Sequence, residues 1–264
     1  MRICVLRCEM KQIVSVDGIK RYMTADFSVE VFDVVSSTNT IVKERAKQGE
    51  KDVLVVAREQ TSGRGRFTRK FFSPKDAGVY FSFAIEPTCA DEISFVTPMC
   101  AVAAAKAIRD VCVKNAQIKW VNDIYVDMKK CVGILCEGVS SQGGAIDRIV
   151  CGIGVNLYEK EGGVDEQIKD IAGFVGEGVE DCANKIVGAI CNNFADMHLH
   201  FDKCYIAKQY KDMSMLVGRS VAVCKTDEER VAIAEDIDDR CRLVVRYEDG
   251  KCETLEVGEV RIKL

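Results

Sequence analysis

The hydrophobic pattern of this chain changes near residue 215, and that change limits the folds it can adopt. From Leu216 onward the sequence consists of short β-type runs, SVAVC, RVAIAEDID, CRLVVRYED and KCETLEVGEVRIKL. Runs of this length, with no helical stretch between them, predict a small all-β domain of about fifty residues, typical of a barrel of roughly five strands. The chain is therefore expected to divide into domains 1–215 and 216–264.

The part before residue 215 mixes strands and helices. Its strand-like runs are ICVL and SVEVFDVV within residues 2–35, followed by DVLVVA, VYFSFAIEP, QIKWVNDIYV, CVGILCEGV and IDRIVCGIGVNL. QIKWVNDIYV and CVGILCEGV meet across Asp127 to Lys130, which predicts a hairpin.

Apolar residues at helical spacing predict four helices. They cover residues 40–49, a stretch that starts with Thr97 as N-cap and Pro98 in the first helical position, residues 181–201, and residues 205–213. Residues 159–180, rich in glycine and acid, are expected to form a loop with at most one short helix.

Charge and hydropathy exclude several classes of function. The chain of 264 residues has 37 Lys plus Arg against 41 Asp plus Glu, for a net charge of -4. This excludes a general nucleic-acid coat and a polybasic membrane binder. No apolar run approaches the ~18 residues that span a bilayer, and charges interrupt the N-terminal segment before a signal-peptide core could form. We expect a cytoplasmic protein without nucleic-acid or membrane partners.

The 14 cysteines are scattered singly, with no C-x-x-C pair. In a long chain without a signal sequence, they are expected to be reduced and to serve as small core residues. His198 and His200, the only histidines, lie two residues apart and are interpreted as surface residues. No metal site is predicted from these residues.

The segment 60–76 reverses the sign of the chain's charge. Its basic residues are Arg64, Arg66, Arg69, Lys70 and Lys75, interleaved at the start with Gly63 and Gly65. Glycine lets a backbone approach a ligand closely, and guanidinium groups make two-pronged contacts with phosphate or carboxylate. The pattern indicates an anion site that is neither a Walker loop nor a dinucleotide fingerprint; the alternative is a solvated basic loop without a ligand.

Lys119 lies on a predicted strand with apolar neighbours, so it needs an anion to offset the cost of burial. If the strand alternates, Lys119 shares a face with Val121 and Asp123, and a Lys119–Asp123 surface pair is the simpler interpretation. Trp120, the only tryptophan, is more typical of a core residue.

Three further signals are ambiguous alone. The run Ser36-Ser37-Thr38-Asn39 can be a helix N-cap. The run GIGVN at 152–156 can be a strand whose glycines allow tight sheet packing. Gly133 stands in the run GIL.

Together and in this order, the motifs resemble biotin protein ligase, also called biotin–[acetyl-CoA-carboxylase] ligase. The resemblance rests on STN at 37–39, GRGRxxR at 63–69 followed by FFSP, KWxND at 119–123, GIL at 133–135 and GxGxN at 152–156. It covers nearly the whole chain. It implies an α+β fold, with a mixed, mostly antiparallel sheet backed by helices and a small C-terminal SH3-like β barrel.

The resemblance also implies a two-step reaction. The carboxylate of biotin attacks the α-phosphate of Mg-ATP to give biotinyl-5′-AMP and pyrophosphate, and a lysine amine then attacks the mixed anhydride. That lysine belongs to a biotin carboxyl carrier domain of a biotin-dependent carboxylase. ATP, Mg²⁺ and biotin are the implied small molecules. Some relatives carry an N-terminal helix-turn-helix, but only about thirty-five residues precede STN here, so we expect no DNA binding.

Carried onto matching positions, the resemblance gives Lys119, Arg64 and Arg66 catalytic roles. The implied biotin-binding residues are Ser37, Thr38, Asn39, Gln60, Gly63, Arg64, Gly65, Arg66, Lys119 and Gly133. The implied nucleotide-binding residues are Arg64, Arg66, Arg69, Phe71, Lys119 and Asn156, with Asp123 as a further polar partner. We expect the segment 60–76, called the arginine–glycine loop below, to be mobile when the site is empty and ordered when the acyl-adenylate is bound.

Three positions depart from the family pattern. GRGRRGR becomes GRGRFTR, with Phe67 and Thr68 in place of an arginine and a glycine; the following aromatic, often tryptophan, is Phe71; and KWPND becomes KWVND. The alternative enzyme is a lipoate or octanoate ligase or transferase, and an alternative of another class is a non-catalytic biotin-binding regulator. The arginine–glycine loop and the C-terminal β domain favour biotin, and the presence of Lys119 and the arginines favours an enzyme.

Overall fold

A seven-stranded mixed sheet forms the centre of the protein. The computed structural model describes residues 13–67, 69–140, 146–160, 168–225, 228–256 and 258–262. The strands are β1 (Ser28–Phe32), β2 (Val53–Ala57), β3 (Gly78–Ile85), β4 (Gln117–Lys119), β5 (Asp123–Val126), β6 (Lys129–Ser140) and β7 (Ile146–Asn156). They lie in the order β1-β2-β3-β7-β6-β5-β4, and every neighbouring pair except β1–β2 is antiparallel. The predicted α+β class is confirmed.

In the described ranges, five helices accompany this sheet: α1 (Val16–Tyr22), α2 (Thr38–Lys47), α3 (Ala90–Cys112), α4 (Cys182–Leu199) and α5 (Lys203–Asp212). Strand β2 shows how they cover both faces, because Val53 and Val55 pack in a cluster with Val42 of α2, whereas Leu54 and Val56 belong to the main core with α3 and α4. A strand buried on both faces needs a continuous apolar run, which explains DVLVVA.

The predicted start of α3 is wrong. The helix begins after Cys89, not at Thr97, and Pro98 lies inside it. Asp91 and Glu92 occupy the first turn, where carboxylates interact favourably with the helix N-terminus. Glu92 also accepts hydrogen bonds from the backbone N–H of Thr88 at 2.6 Å and from its hydroxyl at 2.8 Å. The buried apolar face continues on both sides of Pro98, so packing outweighs the missing N–H of the proline.

The run QIKWVNDIYV is not one strand. It forms β4 and β5, which pair antiparallel with Lys119 opposite Asp123, so the two residues face each other across a hairpin and not along one strand. The predicted hairpin between β5 and β6 is confirmed. Its two central residues, Asp127 and Met128, have φ of 49° and 62°, the left-handed values of the tight turns that join twisted strands.

The C-terminal sheet has five antiparallel strands, as predicted. They are β8 (Ser220–Lys225), β9 (Glu228–Ile237), β10 (Leu243–Tyr247), β11 (Cys252–Leu255) and β12 (Glu259–Ile262), in the order β11-β10-β9-β8-β12. The pairings within residues 216–225, 228–256 and 258–262 do not join β11 to β12, so closure into an SH3-like barrel is not confirmed.

Other predicted segments have mixed outcomes. The helices expected at 40–49, 181–201 and 205–213 correspond to α2, α4 and α5, and α1 was not predicted. The run ICVL lies outside the described residues, as do residues 161–167 of the predicted loop; residues 168–180 form turns and one bridge. Within the described part of the chain, no helix has the length and apolar character to cross a bilayer. The twelve cysteines of that part are all free thiols.

Candidate active site

The arginine–glycine loop connects β2 to β3 and folds back on itself. The backbone N–H of Gly65 donates to the carbonyl of Arg69 at 2.8 Å, and the N–H of Phe71 donates to the carbonyl of Gly63 at 2.9 Å. A Cβ at position 63 would collide with the Phe71 carbonyl and the Ser73 hydroxyl, so the close approach of the two arms requires glycine there. The described residues of the loop thus form a small hairpin, which presents its arginines on one side of the sheet.

The side chains that follow β1 form a polar network beneath this loop. The Ser82 hydroxyl of β3 donates to Asn39 Oδ1 at 2.6 Å and lies 2.7 Å from the Thr38 hydroxyl. Gln60 Oε1 accepts from the backbone N–H of Thr38 at 2.9 Å, and Gln60 Nε2 donates to the Ser73 hydroxyl at 3.1 Å. Buried polar groups that satisfy one another in this way are held in fixed orientations.

Ser37 precedes α2 in the N-cap position, with an extended backbone. Its side chain makes no capping hydrogen bond. The simpler interpretation of the serine–threonine–asparagine run, a capped helix, therefore accounts for the backbone of Ser37 but not for its side chain.

Glycines in β6 and β7 make room for large side chains from elsewhere. Gly133 and Gly154 are partners across these strands, and the Phe71 ring lies over both of them. A Cβ at position 133 would come within 2.6 Å of the ring, and Asn39 occupies the space beside Gly152 in the same way. The glycines of GIL and GIGVN thus serve side-chain packing as well as the sheet.

Lys119 stands at the end of β4, beside Trp120, whose indole N–H donates to the carbonyl of Cys241 at 3.1 Å. The Lys119 ammonium lies 5.6 Å from the centre of the Tyr125 ring. Asp123 forms an ion pair with Lys130, with 2.6 Å between the oxygen and the nitrogen. Burial raises the pKa of Tyr125 to about 12, since the phenolate would lose its hydration.

All of these elements border one cavity of about 930 Å³. Every site residue expected from the sequence lines it: Ser37, Thr38, Asn39, Gln60, Gly63, Arg64, Gly65, Arg66, Arg69, Phe71, Lys119, Asp123, Gly133 and Asn156. Thr68 lies outside the described residues. The volume lies within the range of pockets that enclose a small organic ligand.

The charge of the cavity lining is strongly positive. Among the residues that the structure describes, nine lysines and arginines line it, against the two carboxylates of Glu59 and Asp123. The net charge of the whole chain is -4, so the cationic character is concentrated here. Such a lining can bring together two anionic groups that would otherwise repel each other.

Several cavity residues were not predicted as site residues from the sequence. Lys130, Lys160 and Arg261 contribute charge from β6, from the segment after β7, and from β12. Arg261 shows that the C-terminal sheet contributes to the cavity, and Arg66 also donates to the carbonyl of Gly258 at 3.1 Å. Ser82, which belongs to the polar network beneath the loop, could have been suspected because it is a polar residue in the apolar run VYFSFAIEP. The approach of β12 to the cavity depends on tertiary structure alone.

Comparison with known proteins agrees with this arrangement. Residues 31–156 match the model of the Biotin/lipoate A/B protein ligase family, and residues 216–262 match the biotin protein ligase C-terminal domain. The chain belongs to the biotin protein ligase family. The first matched segment contains the arginine–glycine loop, the hairpin of β4 and β5 with Lys119, and the glycine-bearing strands β6 and β7.

Individual relatives span different shares of the sequence. The bifunctional ligase/repressor BirA of Bacillus subtilis is 34% identical over 142 residues, which are 53% of this chain and 43% of that protein. The chain therefore matches less than half the length of this curated relative. The biotin–[acetyl-CoA-carboxylase] ligase of Mycobacterium tuberculosis is 26% identical over 244 residues, 88% of each chain.

A solved structure shares the fold. Biotin protein ligase from Aquifex aeolicus, in complex with biotin and ATP, superposes with a TM-score of 0.72 at 23% identity, over 89% of this chain and 98% of that one. The likeness supports both the mixed sheet and the C-terminal sheet of this member of the ligase family.

Proposed function

We propose that this protein is a biotin–[acetyl-CoA-carboxylase] ligase, which activates biotin as biotinyl-5′-AMP and transfers it to a lysine of a carrier domain. The observation that supports this proposal best is that all the predicted site residues line one cationic cavity. Membership of the family supports the reaction type, and the similar Aquifex aeolicus protein was solved with biotin and ATP.

The first step joins two anions. A carboxylate oxygen of biotin attacks the α-phosphorus of ATP, the bond from that phosphorus to the bridging oxygen breaks, and pyrophosphate leaves. Repulsion between the carboxylate and the triphosphate opposes this approach. We assign Arg64, Arg66 and Lys119 to neutralising that repulsion and the charge that develops in the transition state.

The remaining lining residues divide between the two substrates. The hydrogen-bonded group Thr38, Asn39 and Gln60 supplies fixed donors and acceptors, which suits the ureido ring of biotin, and the neighbouring Ser37 is assigned to the same ring. Arg69, Phe71 and Asn156 are assigned to the nucleotide, with Phe71 as an aromatic face for adenine. Asp123 is proposed as a further polar partner of the substrates. Its carboxylate forms an ion pair with Lys130.

Mg²⁺ is proposed to enter with ATP. The described cavity lining offers two carboxylates, and the ion pair with Lys130 occupies Asp123. Mg²⁺ commonly keeps several waters and is held by substrate phosphates with one or two carboxylates, which fits this lining. The ion supplies charge neutralisation at the triphosphate.

In the second step, the lysine amine of the carrier attacks the carbonyl carbon of the anhydride, the bond to the AMP oxygen breaks, and AMP leaves. The partner proposed is a biotin carboxyl carrier domain of a biotin-dependent carboxylase. We further propose that residues 1–215 form the catalytic domain and residues 216–264 the C-terminal domain, because the second sheet starts at β8 and the C-terminal family match starts at residue 216. A cytoplasmic location stays a prediction, consistent with the free thiols.

The test is ATP–pyrophosphate exchange with Mg²⁺ and either biotin, lipoate or octanoate, since exchange reports activation of the acid without any carrier. We expect exchange with biotin alone. Lys119→Ala is expected to lower it by a factor of roughly 10² or more, typical for loss of a group that stabilises transition-state charge. The matched control is Lys47→Ala, an exposed lysine in the last turn of α2.

Exchange with lipoate or octanoate in place of biotin would assign the protein to the alternative enzyme class. Biotin binding without exchange, in folded protein, would instead indicate a non-catalytic binding module.

A further inference from the structure

Three cysteine sulfurs that the ligase reaction does not use lie together behind the floor of the cavity. Cys100 comes from α3, Cys136 from β6 and Cys151 from β7, and their sulfur atoms all lie within 4.8 Å of one another. Cys136 and Cys151 are direct partners across the two strands. Their chain neighbours Leu135 and Gly152 line the cavity on the opposite face of the sheet.

This spacing is close to that of a metal–thiolate site. Three thiolates at ~2.3 Å from one ion, in a trigonal plane, have sulfurs ~4 Å apart. The three sulfurs here already approach that separation, although they belong to three different elements.

The chemistry of the ligand set selects the kind of ion. Within the described residues the group consists of sulfur alone, without a histidine nitrogen or a carboxylate oxygen. Thiolate ligands select soft ions such as Cu(I), whereas Mg²⁺ and Ca²⁺ take oxygen ligands. A structural Zn²⁺ site has four ligands, and this group has three.

We propose that Cys100, Cys136 and Cys151 form a buried three-sulfur site for Cu(I). Coordination displaces thiol protons to the solvent, and copper stays in the +1 state, so no electron is transferred and no oxidant is needed. Cys136 is partly exposed as a residue, whereas Cys100 and Cys151 are buried.

Copper binding at this site must be distinguished from copper binding at a second pair of thiols. The sulfurs of Cys112 and Cys182 lie 3.8 Å apart at the junction of α3 and α4, and two thiolates alone can also bind Cu(I). The background for the test is therefore the full chain with Cys112→Ala and Cys182→Ala, purified reduced and without oxygen.

The experiment is a titration of this background protein with Cu(I) supplied as its complex with the chromophoric chelator bathocuproine disulfonate. The protein is expected to withdraw one equivalent of copper from the chelator. X-ray absorption of the product is expected to show three sulfur neighbours around copper. Adding Cys136→Ala is expected to weaken binding by more than the roughly 10–100-fold that loss of an outer-shell partner costs. Adding Cys89→Ala, an exposed cysteine in the N-cap position of α3, is the matched control and should change nothing.

Three results would overturn the proposal: the chelator retains all of the copper, the Cys136→Ala protein binds as tightly as the background, or the bound copper has two sulfur neighbours. Cys151→Ala serves as a second variant if Cys136→Ala does not fold, and the absorption measurement needs neither. The outcome is independent of the ligase proposal, since no substrate is present.

Discussion

Glu137 forms an ion pair with Arg64 of the cavity lining, with 2.7 Å between the carboxylate oxygen and the guanidinium nitrogen. The same oxygen accepts from Asn39 Nδ2 at 2.9 Å. One carboxylate on β6 thus positions a residue assigned to biotin and a residue assigned to the reacting anions. Glu137 does not line the cavity itself, and so it acts through its two partners.

Glu137→Gln is expected to weaken biotin binding roughly tenfold, because the uncharged amide replaces two charge-assisted hydrogen bonds with weaker ones. Calorimetric titration with biotin measures the change. Glu86→Gln is the control, since Glu86 pairs with Lys51 and Arg148 away from the cavity. A dissociation constant within twofold of that of the unchanged protein would contradict the positioning role.

Gly154→Ala is expected to destabilise the protein by about 1–3 kcal/mol, since the new methyl group meets the Phe71 ring. The double variant with Phe71→Ala should lose less stability than the two single changes added together, because the small side chain removes the clash. Urea unfolding measures each step. Gly138→Ala on β6 is the matched control, as its nearest neighbour is the flexible end of Ile146 at 3.3 Å. Strict additivity would show that Phe71 does not lie on Gly154 in solution.

Alkaline pH should weaken the fold through buried tyrosines. The pKa of Tyr125 is raised to about 12 by burial, so the folded state keeps its proton where the unfolded state, with a pKa near the usual ~10, releases it. The stabilisation is complete below pH ~10 and is lost as the pH rises toward ~12. In Tyr125→Phe, the free energy of unfolding should decline less steeply over this pH range. Unfolding experiments at successive pH values measure the decline. Tyr205→Phe, at a half-exposed tyrosine of α5, should leave the slope unchanged.

Trp120→Phe removes the donor to the Cys241 carbonyl, which joins the Lys119 hairpin to the C-terminal sheet. The variant is expected to lose about 1–3 kcal/mol of stability, since a buried carbonyl is left without its partner. Circular dichroism follows the unfolding, because the only tryptophan is gone. Phe72→Leu, at a half-exposed aromatic residue, is the control for loss of an aromatic ring. If Trp120→Phe and the unchanged protein had equal free energies of unfolding, the hydrogen bond from Trp120 to Cys241 would contribute nothing to stability.

Much of the site could be predicted from the sequence because its motifs place polar or glycine residues beside apolar runs, in the loop after β2, at the start of α2, at the end of β4 and within β6 and β7. Lys119, the arginines after β2 and the residues that open α2 are polar groups in places where a buried sheet excludes them unless they have partners. Their convergence on one cavity follows from the strand order, which the hydrophobic period alone does not determine.

The remainder depends on long-range packing. Pro98 is a typical first residue of a helix, yet the core contacts of Phe95 and Met99 extend α3 across it. Glu137 is unremarkable as one acid in a strand until Arg64 arrives from 73 positions away. The approach of Gly258 to Arg66 spans 192 positions, and no local pattern encodes it.

That last contact joins the cavity to both sheets, because Arg66 lies in the loop between β2 and β3 and Gly258 lies just before β12. Arg66 touches the segment before β12, and the lysine at position 119 adjoins a tryptophan anchored on the other sheet. A ligand that strengthens the contact between Arg66 and Gly258 will also stabilise the association of the two sheets. Ligand affinity and the association of the two sheets are thus thermodynamically linked, and a substitution on the C-terminal sheet is expected to change ligand binding in the cavity.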